Sequence, residues 1–220
     1  MDIFADKQIT MALKTSYSNK PLLLYHELLN RYGNPGKWPW FNQDAPHTND
    51  EIAIGAILTQ NTNWNNVQKA IENLRRHKAN TIKGVYELGQ KDFELLKLYI
   101  YPCGFYNQKS ERLFLLSKYI TKKYKNLKNF SKLPIGKIRS KLLFIKGIGN
   151  ETADTIMLYA LNKPIFIIDN YTKRFVEKNK LLKKLDYDSL QAYFMKSLPK
   201  NTRLYQNYHA LIVQWGKQHK

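Results

Sequence analysis

The chain has 220 residues, with 36 Lys+Arg against 17 Asp+Glu, a formal net charge of +19 and a pI near 9.8. That length can bury a sizeable core in one domain or two small lobes, and its one cysteine, Cys103, excludes an internal disulfide framework and favours a reducing compartment. No apolar span is long enough for a membrane helix, and Met1-Asp2-Ile3-Phe4 has neither a basic n-region nor an h-region, so the expected setting is cytoplasmic. The positive excess favours a polyanionic partner held with salt-sensitive counterion release, although a basic proteome bias or ribosome association would give the same balance.

Apolar residues recur at helical spacing over 21–32. A loop rich in Pro, Gly and Asn follows over 35–40 and 42–46. Helical spacing then returns over 50–61, 64–76, 92–99, 108–125, 135–143, 151–161, 171–177, 187–198 and 204–215. With no alternating strand and no internal repeat, the fold class is all-α. Basic residues cluster at 75–78, 122–125, 132–141 and 178–184. Any one such run suits a solvated helix face, but their recurrence suits a polyanion.

Two segments carry the chemistry. Gly147 and Gly149 flank one apolar residue between the run 142–145 and a helical segment from Glu151. Glycine tolerates positive φ and leaves the backbone bare, so Gly-Ile-Gly reads as a tight hairpin between two helices. Its amides, with the next helix N-terminus, form an electropositive concavity suited to one phosphate. Asp169 follows the apolar residues Ile165 to Ile168, where a carboxylate is costly unless something uses it. Ahead of Asn170-Tyr171-Thr172 it suits a helix N-cap equally well. A phosphate cradle followed by a lone carboxylate suggests an enzyme acting on a nucleic acid.

Gly147-Ile148-Gly149-Asn150-Glu151-Thr152-Ala153 and Asp169-Asn170-Tyr171-Thr172-Lys173-Arg174 resemble the helix-hairpin-helix and catalytic-aspartate signature of the endonuclease III superfamily of DNA glycosylases. There the hairpin reads Leu-Pro-Gly-Val-Gly-x-Lys-Thr-Ala and the aspartate stands in Val-Asp-Thr-His-Val-x-Arg. Ile57-Leu58-Thr59-Gln60-Asn61-Thr62 is similar to the family's Leu-Ser-x-Gln-x-Thr, and Gly104-Phe105-Tyr106-Asn107-Gln108-Lys109 to its Gly-x-Tyr-x-x-Lys. The resemblance covers about residues 50 to 217. It implies two helical lobes with an interlobe DNA-binding cleft. Residues 50–162 would make a six-helix lobe including the hairpin; the N-terminal segment 1–49 would join 163–220, which carries Asp169, in the terminal lobe.

The same resemblance implies roles. Asp169 would be catalytic, because breaking an N-glycosidic bond builds positive charge on the sugar that a carboxylate stabilises. Gly147, Gly149, Lys146, Lys109 and Arg174 would contact DNA, with a structural role equally open for Arg174. Gln60 would be the wedge that fills the gap left by a flipped base, or an ordinary polar residue at a helix end. Trp38, Trp40 and Trp64 would line the base pocket, where indole faces attract electron-poor alkylated purines, unless they are core residues. His209 and Lys217 share a face of the last helix, near the active-site lobe in the resemblance.

The departures narrow the activity. Glu151 stands where glycosylases that also cleave the backbone carry a lysine, and a carboxylate cannot form their Schiff base. It would also suit the first turn of a helix, where the dipole favours negative charge. One cysteine cannot supply the four-cysteine iron–sulfur cluster of many members, so no cofactor is expected, and no spacing suggests a metal site. With Asn170-Tyr171 in place of Thr-His, the chain looks most like cluster-free bacterial 3-methyladenine DNA glycosylases. The expectation is a monomeric, nucleoid-associated, monofunctional enzyme that removes alkylated purines from double-stranded DNA containing a damaged base. The alternatives are a glycosylase and abasic-site lyase for oxidised pyrimidines with a displaced lysine, and a non-catalytic helix-hairpin-helix DNA-binding protein.

Overall fold

The computed structural model describes residues 19–36, 38–41 and 47–219. Lys37, the 42–46 part of the expected loop and the Met1 to Phe4 stretch therefore lie outside the described residues. Among the described residues there is no strand. The α-helices are α1 Lys20–Tyr32, α2 Asn49–Leu58, α3 Trp64–Arg76, α4 Ile82–Lys91, α5 Phe93–Ile100, α6 Tyr106–Tyr124, α7 Leu127–Phe130, α8 Ile135–Leu143, α9 Asn150–Thr155, α10 Asn170–Lys178, α11 Tyr187–Ser197 and α12 Thr202–Gln218. None of them is long and apolar enough to cross a membrane. Their starts follow the sequence closely. Asn19, Thr48, Asn63, Thr81, Asp92, Asn126, Asp169, Asp186 and Asn201 each accept a bond from a backbone N–H of the first turn, satisfying a donor that the helix itself leaves open.

The chain divides into two compact units. The terminal unit takes the described residues up to Pro35 and those from Pro164 onward; the central unit runs from Gly36 to Lys163. In the terminal unit α12 is the spine, buried continuously from Tyr205 to Val213. Phe166 stacks on Phe194 at 4.3 Å between centroids, and the Tyr208 hydroxyl donates to the Pro21 carbonyl at 2.8 Å, fastening α1 to α12. In the central unit the spine is α2, buried from Glu51 to Leu58. Burial opposes the charge on Glu51. Bonds from the side chains of Arg75, His47 and Asn80 and from the Thr48 N–H nevertheless hold its carboxyl far below the usual range.

Three features differ from the sequence expectation. The described residues of the stretch 36–49, grouped there with the terminal unit, belong to the central one. The anchor is Trp40, 8% exposed, whose ring lies against Gly55 of α2 and meets Trp64 edge-on at 4.6 Å. Helices α4 and α7 are not among the expected ones. The interior of α4 contains Gly84 and Gly89, which lower helix propensity, but Gly89 admits the Phe114 ring, so packing overrides propensity. Finally, the single helix expected over 151–161 is α9 followed by a π-helical stretch, Ile156–Ala160, buried throughout.

The Trp40 seat yields a prediction. A Cβ on Gly55 would stand 2.6 Å from two ring carbons of Trp40, so Gly55→Ala should destabilise the protein by about 1–3 kcal/mol through overpacking. Urea denaturation measures it; an unchanged midpoint would mean that Trp40 is not anchored on α2.

Candidate active site and nucleic-acid interface

The hairpin connects α8 to α9 within the central unit. The Ile148 N–H donates to the Ile145 carbonyl at 3.0 Å, and Gly147, third in this turn, has φ +85°. Positive φ at that position is what a type II turn requires. A Cβ there would also stand 2.5 Å from Cγ and Nε of Arg112, so Gly147 is fixed twice over. Gly149 differs. Its φ of −90° suits any residue and nothing lies within 4 Å of a Cβ built on it, so its backbone faces open space. As N-cap of α9 it offers no side-chain acceptor, leaving the first-turn amides of that helix without a side-chain cap.

The hairpin is braced from below. Arg139 of α8 makes two bonds to the fully buried Asp154 of α9, at 2.9 and 3.2 Å, and a third to Asn150 at 3.0 Å. Such a bidentate fork fixes the relative pitch of the two helices. Ile148 is buried at the turn, while Phe144 is 87% exposed beside it. Lys146 is exposed and pairs with Glu111 at 3.0 Å, so its ammonium is at the surface. Glu151 is exposed in the first turn of α9, the dipole-favoured position.

Gln60, just after α2, reaches the same turn. Its Nε2 donates to the Thr152 hydroxyl at 2.9 Å and to the Gly147 carbonyl at 3.4 Å, and its Oε1 accepts from Arg112. Lys109 does not join this surface. It is 1% exposed, and its ammonium donates to the carbonyls of Leu58, at 2.9 Å, and Cys103, at 2.7 Å. Burial lowers its pKa. A buried side chain spent on the carbonyls of a helix end and a turn cannot reach a phosphate, which corrects the DNA contact expected for Lys109.

One further expectation changes. Trp40 is a core residue on Gly55, not a pocket wall. Trp38 and Trp64 remain half-buried: Trp38 lies 6.5 Å from Tyr159 at a 36° tilt, and Trp64 stands edge-on to His47 at 5.6 Å. Tyr159 comes from the π-helical stretch, a local geometry that often accompanies functional sites. In the terminal unit, Arg174 donates to the Gly216 carbonyl at 3.0 Å and covers the Tyr171 ring at 5.1 Å. Arg174 thus ties α10 to α12, the structural role that the sequence left open beside a DNA contact.

Asp169 is the N-cap of α10 and 9% exposed. Its Oδ1 accepts from the Thr172 N–H at 2.7 Å and from the Thr172 hydroxyl at 2.9 Å, and its Oδ2 faces Nε2 of His209 at 3.3 Å. Burial pushes the carboxyl pKa up, but the bond and charge of His209 and the two Thr172 donors outweigh it and hold the pKa below the usual range. Stability from this group is therefore complete above the ordinary carboxyl pKa and is lost as pH falls through the lower folded value. The cap and the ionised carboxylate are one arrangement. Sequence reasoning placed His209 near the site but gave it no partner, and it missed Arg112 and Tyr159. Among the described residues no group of three or more His, Cys, Asp or Glu could hold a metal ion.

Comparisons with known proteins agree with this geometry. A family model described as HhH-GPD superfamily base excision DNA repair protein matches residues 54–200. Over 198 residues the chain is 40% identical to a protein of Methanocaldococcus jannaschii assigned as a DNA repair glycosylase, covering 89% of this chain and 86% of that one. It is 24% identical over 167 residues to endonuclease III of Thermotoga maritima, covering 76% and 72%. Among solved structures, the H. pylori 3-methyladenine DNA glycosylase bound to 1,N6-ethenoadenine is similar with a TM-score of 0.78 at 30% identity, covering 91% of this chain and 98% of that one. A trapped endonuclease III–DNA covalent intermediate shares the fold, with a TM-score of 0.68 at 18% identity and coverage of 89% and 84%.

The two hairpin glycines should separate in their effects. Gly147→Ala forces a left-handed alanine, costing about 1–2 kcal/mol in backbone strain alone, and should lower both stability and DNA affinity. Gly149→Ala should change stability by less than about 0.5 kcal/mol; if the open amides beside it are a phosphate cradle, the methyl should weaken binding to all DNA sequences alike. Urea denaturation and DNA titration measure the two; unchanged affinity in a folded Gly149→Ala variant would contradict the phosphate cradle.

Proposed function

The chain belongs to the HhH-GPD superfamily of base excision DNA repair proteins and is a DNA glycosylase, and from that premise we propose that it is monofunctional and releases alkylated purines such as 3-methyladenine from duplex DNA. The reading is carried by an ionised carboxylate at Asp169 combined with a carboxylate, Glu151, at the position of the lyase lysine. Glycosidic cleavage develops positive charge on the sugar. An anion already paired and oriented stabilises that charge without reorganising. The Thr172 donors fix the carboxylate plane through Oδ1, and His209 restrains Oδ2. Glu151 has no amine with which to form a Schiff base. Water therefore supplies the nucleophile, and the products are a free base and an intact abasic strand.

The substrate reading draws on similarity to the H. pylori 3-methyladenine enzyme and on the indole face of Trp38 beside Tyr159. An electron-poor alkylated purine is attracted to aromatic faces, and its weakened glycosidic bond needs little acid assistance. The iron–sulfur cluster of many relatives does not fit this chain. It has a single cysteine, Cys103, whose thiol is buried and pushed up to about 11, the reverse of a ligand thiolate. On this reading the protein acts as a monomer on nucleoid DNA without a cofactor.

Incubating the protein with methylated and with oxidised DNA, and identifying released bases by chromatography, tests the proposal. Release of 3-methyladenine without a borohydride-trapped adduct on abasic DNA is expected; release of oxidised pyrimidines with a trapped adduct would overturn it. Asp169→Asn should retain folding and DNA binding, because asparagine caps helices well, while base release falls on the order of 100- to 1000-fold.

A further inference from the structure

Gln60 is held more firmly than a side chain at the end of a helix ordinarily is. Its amide offers two N–H donors and two lone pairs. Nε2 uses Thr152 and Gly147, both in the hairpin or its following helix, and Oε1 uses Nη1 of Arg112 at 2.5 Å. These partners also fix the sense of the amide. A guanidinium only donates and a backbone carbonyl only accepts, so a flipped amide would oppose like groups on both sides.

Arg112 is itself wedged in place. Its Nη2 reaches Gln108 at 3.4 Å, and its side-chain stem lies within 2.7 Å of where a Cβ on residue 147 would stand. One turn earlier on α6, the buried Lys109 grips the backbone of the same segment through the Leu58 carbonyl. Lys109 thus fixes the main chain leading to Gln60, and Arg112 fixes its side chain.

We propose that Arg112 is the positioning residue for Gln60, holding its amide against the hairpin so that the residue entering the emptied base position and the phosphate-binding turn act as one rigid piece. The proposal rests on the reading that Gln60 fills the gap left by the flipped base. The planar fork of arginine suits the task, whereas a lysine would keep the charge without the fixed donor directions.

A double-mutant cycle tests it. Affinities for abasic-site duplex and for undamaged duplex are measured for the wild type, Gln60→Ala, Arg112→Met, Arg112→Lys and the Gln60→Ala/Arg112→Met double variant, with melting curves as a check on folding. Methionine keeps the stem over Gly147 and removes the donors. Gln60→Ala should reduce the preference for abasic DNA about tenfold, Arg112→Met should match it, and the double variant should be no worse than either single one. Arg112→Lys should restore only part of the preference. Losses that multiply in the double variant, full rescue by lysine, or an equal loss on undamaged DNA would overturn the proposal and make Arg112 an independent phosphate contact. An intact preference in Arg112→Met with a loss in Gln60→Ala would overturn it while leaving the wedge reading of Gln60 standing. If Gln60→Ala itself keeps the preference, the wedge reading fails, and this proposal with it.

Discussion

A carboxylate placed at the end of the apolar run 165–168 has to be kept ionised against its own desolvation, and the terminal unit is arranged around that requirement. The solution is local on one oxygen and long-range on the other. Thr172 supplies two donors from the first turn of α10, the helix that Asp169 caps. His209 arrives from α12, the helix on which the aromatic core of the unit is packed. Arg174 and the close approach of Tyr171 to Gly216 then tie α10 to the end of that helix. The charge is thus held by the same contacts that join the elements, so its orientation is as stable as the packing.

The central unit solves a different problem, that of presenting bare backbone without losing shape. Gly147 supplies the conformation and Gly149 the open face, while Arg139 and Asp154 lock the helices on either side. A half-buried ion pair of this kind contributes geometry more than net stability, since the cost of removing the Asp154 charge from water offsets much of the attraction. What it contributes is a fixed angle between α8 and α9, and hence a fixed direction for the amides at the turn.

Much of this was legible in the residues. The hairpin could be read because positive φ and an unobstructed backbone are demands that glycine alone meets at low cost, and most helices could be read from the spacing of their apolar residues. Asp169 was legible as either a cap or a functional carboxylate, and the structure makes it a cap whose second oxygen is held by a residue far along the chain. Other residues were misread for equally physical reasons. Trp40 in a Pro-rich loop resembled a pocket wall because nothing local reveals that Gly55 leaves space for its ring. Lys109 resembled a surface cation because the orphan carbonyls it satisfies come from a helix end and a turn brought together only by folding. Arg112 carries no pattern linking it to Gln60; their contact is a product of tertiary structure.

Folding holds the pKa of the Asp169 carboxyl below its ordinary range, and titration of that group measures this most directly. Carbon-13 NMR of the side-chain carboxyl, followed from about pH 5 downward, should give a midpoint below the ordinary value of 3.8. The midpoint should rise when His209 is replaced by Asn, which removes the contribution of the imidazole charge to Oδ2. A wild-type midpoint at or above the ordinary value would contradict the account, since burial would then have outweighed the His209 and Thr172 contacts.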